Sequence, residues 1–250
     1  MARTWVLLRG LVRGKGHWLG FAEKLQAAFP EDKVIALDLP GNGSLHHQPS
    51  PVTGAGMVRS ARQQLQALEA TAGAPYTVVA ISLGGMVTLE WLRQAPSEIR
   101  QAFIINASLA SLSSFRQRLQ PANYGGLLRW GILNRDALKK ERYVLSVNCN
   151  LLDDAERAQC AHALATLPPV SAPNALRQLL AAARYRAPAA LFGQPVVVIS
   201  GAADRLVSAK CSQAIAKHWG WPLLTHPQAG HDLPLDDPQW LLACLQQQVL

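Results

Sequence analysis

The sequence predicts a doubly wound α/β domain with a helical insertion, and three observations carry that prediction. Short Val/Ile/Leu runs recur along the chain, each followed by a breaker-rich loop and a segment of helical periodicity. The runs are continuous rather than alternating, as in strands buried on both faces of a mostly parallel sheet. Between Ser111 and Ala187 the rhythm stops and only helical patterns remain.

Thr4 to Leu8 (TWVLL) reads as the first strand. Glycine-containing turns follow, and then HWLGFAEKLQAAF, in which Trp18, Phe21, Leu25 and Phe29 recur at helical spacing. KVIALDL is a second strand, PGNGSLHHQPSPVTG a loop rich in breakers, and Met57 to Ala72 a helix with Leu65 and Leu68 on its inner face. YTVVAI with GGMVTLEWLRQA makes a third unit, and IRQAFIINAS a fourth strand. After the insertion come QPVVVIS with SAKCSQAIAKHW, the strand candidate WPLLTHP, and a closing helix DPQWLLACLQQQVL capped by Asp236 or Asp237. The core therefore comprises 1–110 and 188–250, and the helical insertion 111–187. An insertion leaving the carboxyl end of the strands is expected to cover the place where open α/β sheets bind ligands.

Composition agrees with one folded domain of 250 residues, because hydrophobic residues make up 49% and charged residues only 16%. No apolar run approaches the roughly 18 residues that span a bilayer, and the N-terminal apolar stretch is too short for a secretory signal, so a cytoplasmic protein with no membrane partner is expected. Cys149, Cys160, Cys211 and Cys244 form no CxxC pair and have no neighbouring histidines, which argues against a zinc site or a disulfide framework. The formal charge of +8 is concentrated, since 111–187 holds 11 Lys and Arg against 5 Asp and Glu. That segment contains no nucleic-acid-binding motif, and no nucleic-acid partner is expected.

The chemistry is carried by three short segments. Ala80-Ile81-Ser82-Leu83-Gly84 matches the nucleophile elbow G-x-S-x-G with Ala at the first small position, and it sits between a predicted strand and a predicted helix. Small flanking residues are needed there because the turn is sharp and the backbones beside it are close. A serine hydroxyl is a weak nucleophile at neutral pH, so it needs a base, and the base needs an acid to orient it. Asp204 follows the strand VVVISG, and His231 follows the last strand in AGHDLPL. Taken singly, Asp204 is also explained as a helix cap and His231 as a loop histidine, and Asp232 and Asp236 are competing acids. The joint placement of Ser82, Asp204 and His231 after strand ends favours the chemical reading.

These segments, with DLPGNG from Asp38 to Gly43, resemble the α/β-hydrolase superfamily, cap-bearing serine esterases in particular, along nearly the whole chain. The resemblance implies an α/β-hydrolase fold and a cofactor-free, metal-free hydrolase in which Ser82 attacks, His231 exchanges the proton and Asp204 holds the imidazole. It also implies an oxyanion hole built from the backbone N–H groups of Leu83 and Leu11. The chain departs from the family at Arg9-Gly10-Leu11, where His-Gly is usual, and this puts the hydrogen bonding of that loop in question. Arg9 then replaces a structural histidine, with its guanidinium bonded to carbonyls, or it attracts an anionic substrate group.

The expected reaction is hydrolysis of a carboxylic ester through an acyl-enzyme. A thioesterase, a carbon–carbon bond hydrolase and a non-enzymatic ligand sensor on the same fold are the alternatives. The substrate is expected to be a small-molecule or carrier-linked ester. The basic insertion suggests an acidic carrier protein as partner, as in the pimeloyl-carrier methyl esterases that the architecture loosely resembles. Within the insertion Leu127, Leu128, Trp130, Tyr143 and Leu145 are candidates to line an acyl pocket, with Trp130 and Tyr143 as the residues setting substrate choice.

Overall fold

The computed structural model describes residues 2–68, 73–129, 134–189 and 193–250. In chain order they form β1 (Thr4–Leu8), α1 (Phe21–Ala28), β2 (Lys33–Leu37), α2 (Gly54–Gln66), β3 (Tyr76–Ile81), α3 (Leu83–Gln94) and β4 (Ile99–Ile105). Then come the short α4 (Phe115–Arg118) and α5 (Tyr124–Gly126), the longer α6 (Ala137–Asn148), α7 (Asp154–Ala165) and α8 (Ala172–Arg184), and β5 (Val196–Gly201). The chain ends with α9 (Lys210–Trp219), β6 (Leu223–His226), α10 (Leu233–Asp236) and α11 (Pro238–Gln248). All strand pairs are parallel, in the order β2-β1-β3-β4-β5-β6. The chain steps from β1 outward to β2 and back across β1 to β3, so the carboxyl ends of β1 and β3 flank the switch point where such sheets open a crevice.

Both faces of the sheet are covered, which explains why its strands read as unbroken apolar runs. Trp5 and Leu7 turn to one face, with Phe21 and Leu25 of α1 and Leu241 and Leu245 of α11. Val6 and Leu8 turn to the other, with Met57, Ala61 and Leu65 of α2, Leu89 of α3 and Ile215 of α9. No strand interrupts α4 to α8 among the described residues. Leu145, Cys149, Ala161 and Leu164 of the insertion make a third apolar cluster that reaches back to Leu235 of α10. Among the described residues no helix is long and apolar enough to cross a membrane. The four cysteines are free thiols, three of them buried.

Three local expectations need correction. The segment HWLGFAEKLQAAF is not one helix: a 3-10 turn spans Lys15–Trp18, Leu19 and Gly20 take left-handed backbone (φ 39 and 80), and only then does α1 begin. The second helix starts three residues earlier than expected, with Thr53 Oγ1 accepting from Gly56 N–H, and its last residue is Gln66, which leaves Leu68 outside it and 42% exposed. Of the two aspartates considered for the last helix, Asp237 is the cap, its Oδ1 accepting from Trp240 N–H at 3.0 Å.

The elbow glycines are demanded by contact rather than by φ. A Cβ on Gly84 would lie 2.5 Å from the Leu8 carbonyl oxygen and 2.9 Å from that of Arg9, both backbone atoms that cannot step aside. Gly84→Ala is expected to destabilise the protein by about 1–3 kcal/mol, the usual cost of overpacking a tight core. Gly73, where a Cβ meets nothing within 4 Å, serves as the control. Urea unfolding of the two alanine variants checks this, with Gly73→Ala expected within about 0.5 kcal/mol of the parent.

Candidate active site

Ser82 follows β3 at φ 55 and ψ −115, a conformation costing on the order of 1–3 kcal/mol for a residue with a side chain. The surrounding backbone leaves it little alternative. Its N–H donates to Ile105 O of β4 at 2.9 Å, and a Cβ on Gly10, in the loop after β1, would lie 3.1 Å from the serine's own Cβ. A Cβ on Gly85 would meet Ile104 of β4 and Ala107 just beyond it below 3 Å, so α3 also packs closely on that side. The serine is thus held between the ends of three neighbouring strands.

Asp204 and His231 meet although 27 residues separate them, with His231 Nδ1 and Asp204 Oδ2 at 2.7 Å and both residues buried. The other carboxylate oxygen of Asp204 accepts from the N–H groups of Leu206 and Val207 at 2.8 and 2.9 Å, which fixes the orientation of the acid. Asn106, in left-handed backbone (φ 47) at the end of β4, ties the histidine loop to the sheet. Its Nδ2 donates to Gly230 O and His231 O, and its Oδ1 accepts from Gly201 N–H at the end of β5. Asp236, one of the competing acids, is taken up by backbone: Oδ2 accepts from Gly230 N–H, and Oδ1 from Asn150 and Leu151 N–H.

Arg9 is bonded to a carboxylate and not to carbonyls. Its two terminal nitrogens donate to the two oxygens of Asp232 at 2.9 and 2.5 Å, and its guanidinium lies 4.9 Å from the centre of the Trp18 ring. Both partners are buried, Arg9 being 3% exposed. Use of this guanidinium as a receptor for a substrate anion requires breaking a buried, two-toothed ion pair, which costs several kcal/mol, about 3–5 in comparable cases. The pair also accounts for Asp232, the second competing acid.

Of the proposed oxyanion donors, Leu83 N–H opens α3, where first-turn amides have no intrahelical acceptor, and Leu11 N–H lies in the loop after β1, with no acceptor among the described residues. The insertion residues are arranged differently from the acyl-pocket expectation. Leu145 is committed to the apolar cluster with Leu235, Leu128 is 53% exposed, and Leu127 is half-buried. Tyr143 lies against Gly126 and donates from its hydroxyl to Asn123 O at 3.5 Å, while Trp130 falls outside the described residues. A crevice of about 920 Å³ opens beside Asp204, lined by Ser146, Asn150, Arg157, Arg205 and Gln228 among others; Ser82 is not part of its lining.

The charges around the imidazole act in opposite senses. Burial is the largest single influence and disfavours the charged ring, but the charge of Asp204, its hydrogen bond and the charge of Asp232 together outweigh burial and the opposing Arg9, and the outcome is a pKa above the ordinary 6.5. His17 is pushed down to about 2 by burial and by Arg13 and Arg9; neutral, it accepts from Gly14 N–H through Nδ1. The expanse of backbone and side chain that holds this arrangement belongs to a known family. A family model described as alpha/beta hydrolase family matches residues 5–243, and the chain belongs to that family.

Named relatives are distant. The chain is 25% identical over 239 residues, covering 93% of its own length and 85% of the relative's, to RutD of Klebsiella pneumoniae (strain 342), whose name gives carbamate hydrolysis as a provisional activity. Rv0554 from Mycobacterium tuberculosis superposes with a TM-score of 0.79 at 21% identity, covering 99% of this chain and 90% of that one. A thermophilic esterase from Thermogutta terrifontis superposes with a TM-score of 0.72 at 17% identity, covering 99% and 89%. These two likenesses establish the fold.

The electrostatics give a titration with a definite sign. Because the folded-state pKa of His231 is raised, its pairing with Asp204 stabilises the protein fully below the unfolded value near 6.5. That contribution disappears as pH rises through the folded value. Followed by NMR, the His231 ring is expected to titrate above 6.5 in the parent, lower in Asp204→Asn, and higher than the parent in Arg9→Met, which leaves Asp232 unneutralised. A His231 pKa unmoved by Asp204→Asn contradicts this assignment of the charges.

Proposed function

We propose that the protein is a cofactor-free serine hydrolase that cleaves a carboxylic ester through an acyl-enzyme. The observation that carries the reading is the buried 2.7 Å bond from His231 Nδ1 to Asp204, which leaves Nε2 as the ring nitrogen open to a serine proton. Membership of the hydrolase family and the strained backbone of Ser82 support it. In this scheme Ser82 Oγ adds to the ester carbonyl while its proton passes to His231 Nε2. Charge develops on the former carbonyl oxygen, to which the N–H groups of Leu83 and Leu11 donate. Collapse of the adduct breaks the C–O bond, and His231 returns the proton to the leaving alcohol. Water then repeats the sequence on the acyl-serine and releases the acid.

The role of Asp204 is to fix the tautomer and to stabilise the imidazolium formed in each half-reaction. The helical insertion 111–187 is the cap of this enzyme and sets substrate choice; contacts of α6 and α8 with the loop after β1 support that placement. Thioesters and scissile carbon–carbon bonds suit the same triad, and the RutD likeness adds carbamates to the substrate panel. A carrier-linked acyl ester tests the basic insertion as the seat for an acidic carrier, since steering by exposed charge declines with added salt.

Fluorophosphonate treatment followed by peptide mass spectrometry is expected to place the adduct on Ser82, and labelling elsewhere with Ser82 unmodified sinks the assignment. With whichever member of the panel is turned over, His231→Ala is expected to lower kcat/KM by at least about two to three orders of magnitude. Asp204→Asn should also lower it strongly with the fold intact, while a loss seen in Asp232→Asn alone would transfer the acid role. A ligand sensor predicts the opposite pattern: no turnover of a short p-nitrophenyl ester, and binding that persists in Ser82→Ala.

A further inference from the structure

The loop after β1 carries one of the two proposed oxyanion donors, and little inside the loop fixes its shape. Gly10 to Arg13 form a four-residue turn closed by Arg13 N–H on Gly10 O at 3.3 Å, a long bond. Val12, third in the turn, stands at φ 53, whereas Leu11 is not in left-handed backbone. That is the pattern of a type II turn, whose third position is normally Gly or Asn. A β-branched side chain there is strained, and rotating the Leu11–Val12 peptide by half a turn would convert the loop to type I and release the strain. Arg9, standing where the family has a histidine, gives no help, because its terminal nitrogens are bonded to Asp232.

Two residues of the insertion oppose that rotation. Gln178 of α8 is fully buried, and its Oε1 accepts from Val12 N–H at 2.8 Å. Its amide cannot be reversed. Arg13 O only accepts, so Asn42 must turn Nδ2 toward it (3.0 Å) and Oδ1 toward Gln178, where Nε2 donates to it at 2.8 Å. The same Nε2 donates to Ser50 Oγ at 3.0 Å, and Ser50 Oγ donates in turn to Pro40 O at 2.7 Å. From the other side, Glu141 of α6 holds Arg13 Nη1 with both carboxylate oxygens at 2.8 Å, and these side chains are only 15% and 11% exposed.

We infer that Gln178, seconded by Glu141, is a positioning residue that locks the Leu11–Val12 peptide and thereby sets the placement of the Leu11 N–H in the oxyanion hole, so that the helical insertion completes a site otherwise built by the sheet. The inference rests on the serine-hydrolase reading above. A flipped peptide would change the turn directly beside the donor, and stabilisation of an oxyanion depends on donors held at 2.7–3.1 Å from its position, a tolerance small enough that a misplacement of about 1 Å costs on the order of a hundredfold.

The test compares the parent with Gln178→Leu, Glu141→Leu and the conservative Glu141→Gln, each checked for folding by thermal denaturation. The readouts are kcat, KM and the affinity of a boronic acid transition-state analogue. Gln178→Leu is expected to lower kcat about 10- to 100-fold with KM within about threefold, and to weaken the boronate by a similar factor. Glu141→Leu should follow the same direction more weakly, with Glu141→Gln close to the parent. Parent-like kcat and boronate affinity in folded Gln178→Leu, or a loss confined to KM, overturns the inference. Should Gln178→Leu fail to fold, the contrast between Glu141→Leu and Glu141→Gln decides it on the same readouts. A parent that neither takes phosphonate on Ser82 nor turns over any substrate of the panel defeats the hydrolase reading and this inference together. A competent parent matched by its variants defeats this inference alone.

Discussion

The first turn of α3 runs against the carbonyl oxygens of Leu8 and Arg9 with no room for a single Cβ, and the rest of the site follows from that approach. The helix can come so close only with glycine at 84 and 85, and Ser82 is then obliged to turn at φ 55. Strain of this kind persists where the surroundings over-determine the backbone. Here they do so through the Ile105 carbonyl, which holds the serine N–H, and through Gly10 on the opposite side. The loop after β1, the serine and the end of β4 are brought together at the carboxyl end of the sheet by packing rather than by any bond between functional groups.

The histidine loop is fastened to the same end of the sheet by the polar side chains of Asn106 and Asp236. Asn106 joins the end of β4 to the end of β5 and to the carbonyls of Gly230 and His231. Asp236 joins Gly230 to the backbone between α6 and α7. The loop is therefore pinned from the sheet and from the insertion, and His231 has a fixed acid partner in a buried setting. Next to it Asp232 would add a second uncompensated charge, and the Arg9 guanidinium neutralises it. The Arg9 guanidinium thus belongs to the electrostatics around His231, while the loop that follows it is held by Gln178 and Glu141 of the insertion.

Most of the fold was legible because its signals are local. Six strands read as apolar runs, and the break in their alternation with helices marked where β4 gives way to the insertion. Errors fell where left-handed residues or caps override periodicity, at Leu19 and Gly20 and at Thr53. The sharp turn at Ser82 and the placement of Asp204 and His231 just past strand ends were legible for the same reason, each lying in a short motif at a strand end. Leu145 was misjudged because apolar character does not say which cluster a side chain joins.

By itself the sequence determined the parallel α/β core, the strained turn at Ser82 and the candidacy of Asp204 and His231, since each depends on residues within a few positions of one another. Only the tertiary structure decided which aspartate meets His231, that Arg9 pairs with a carboxylate 223 residues away, and that Gln178 reaches Val12 across 166 residues. Those partners are chosen by strand order and by the fold of the insertion. Neither leaves a mark on local periodicity, because a buried polar residue is satisfied by whatever donor or acceptor the packing brings to it.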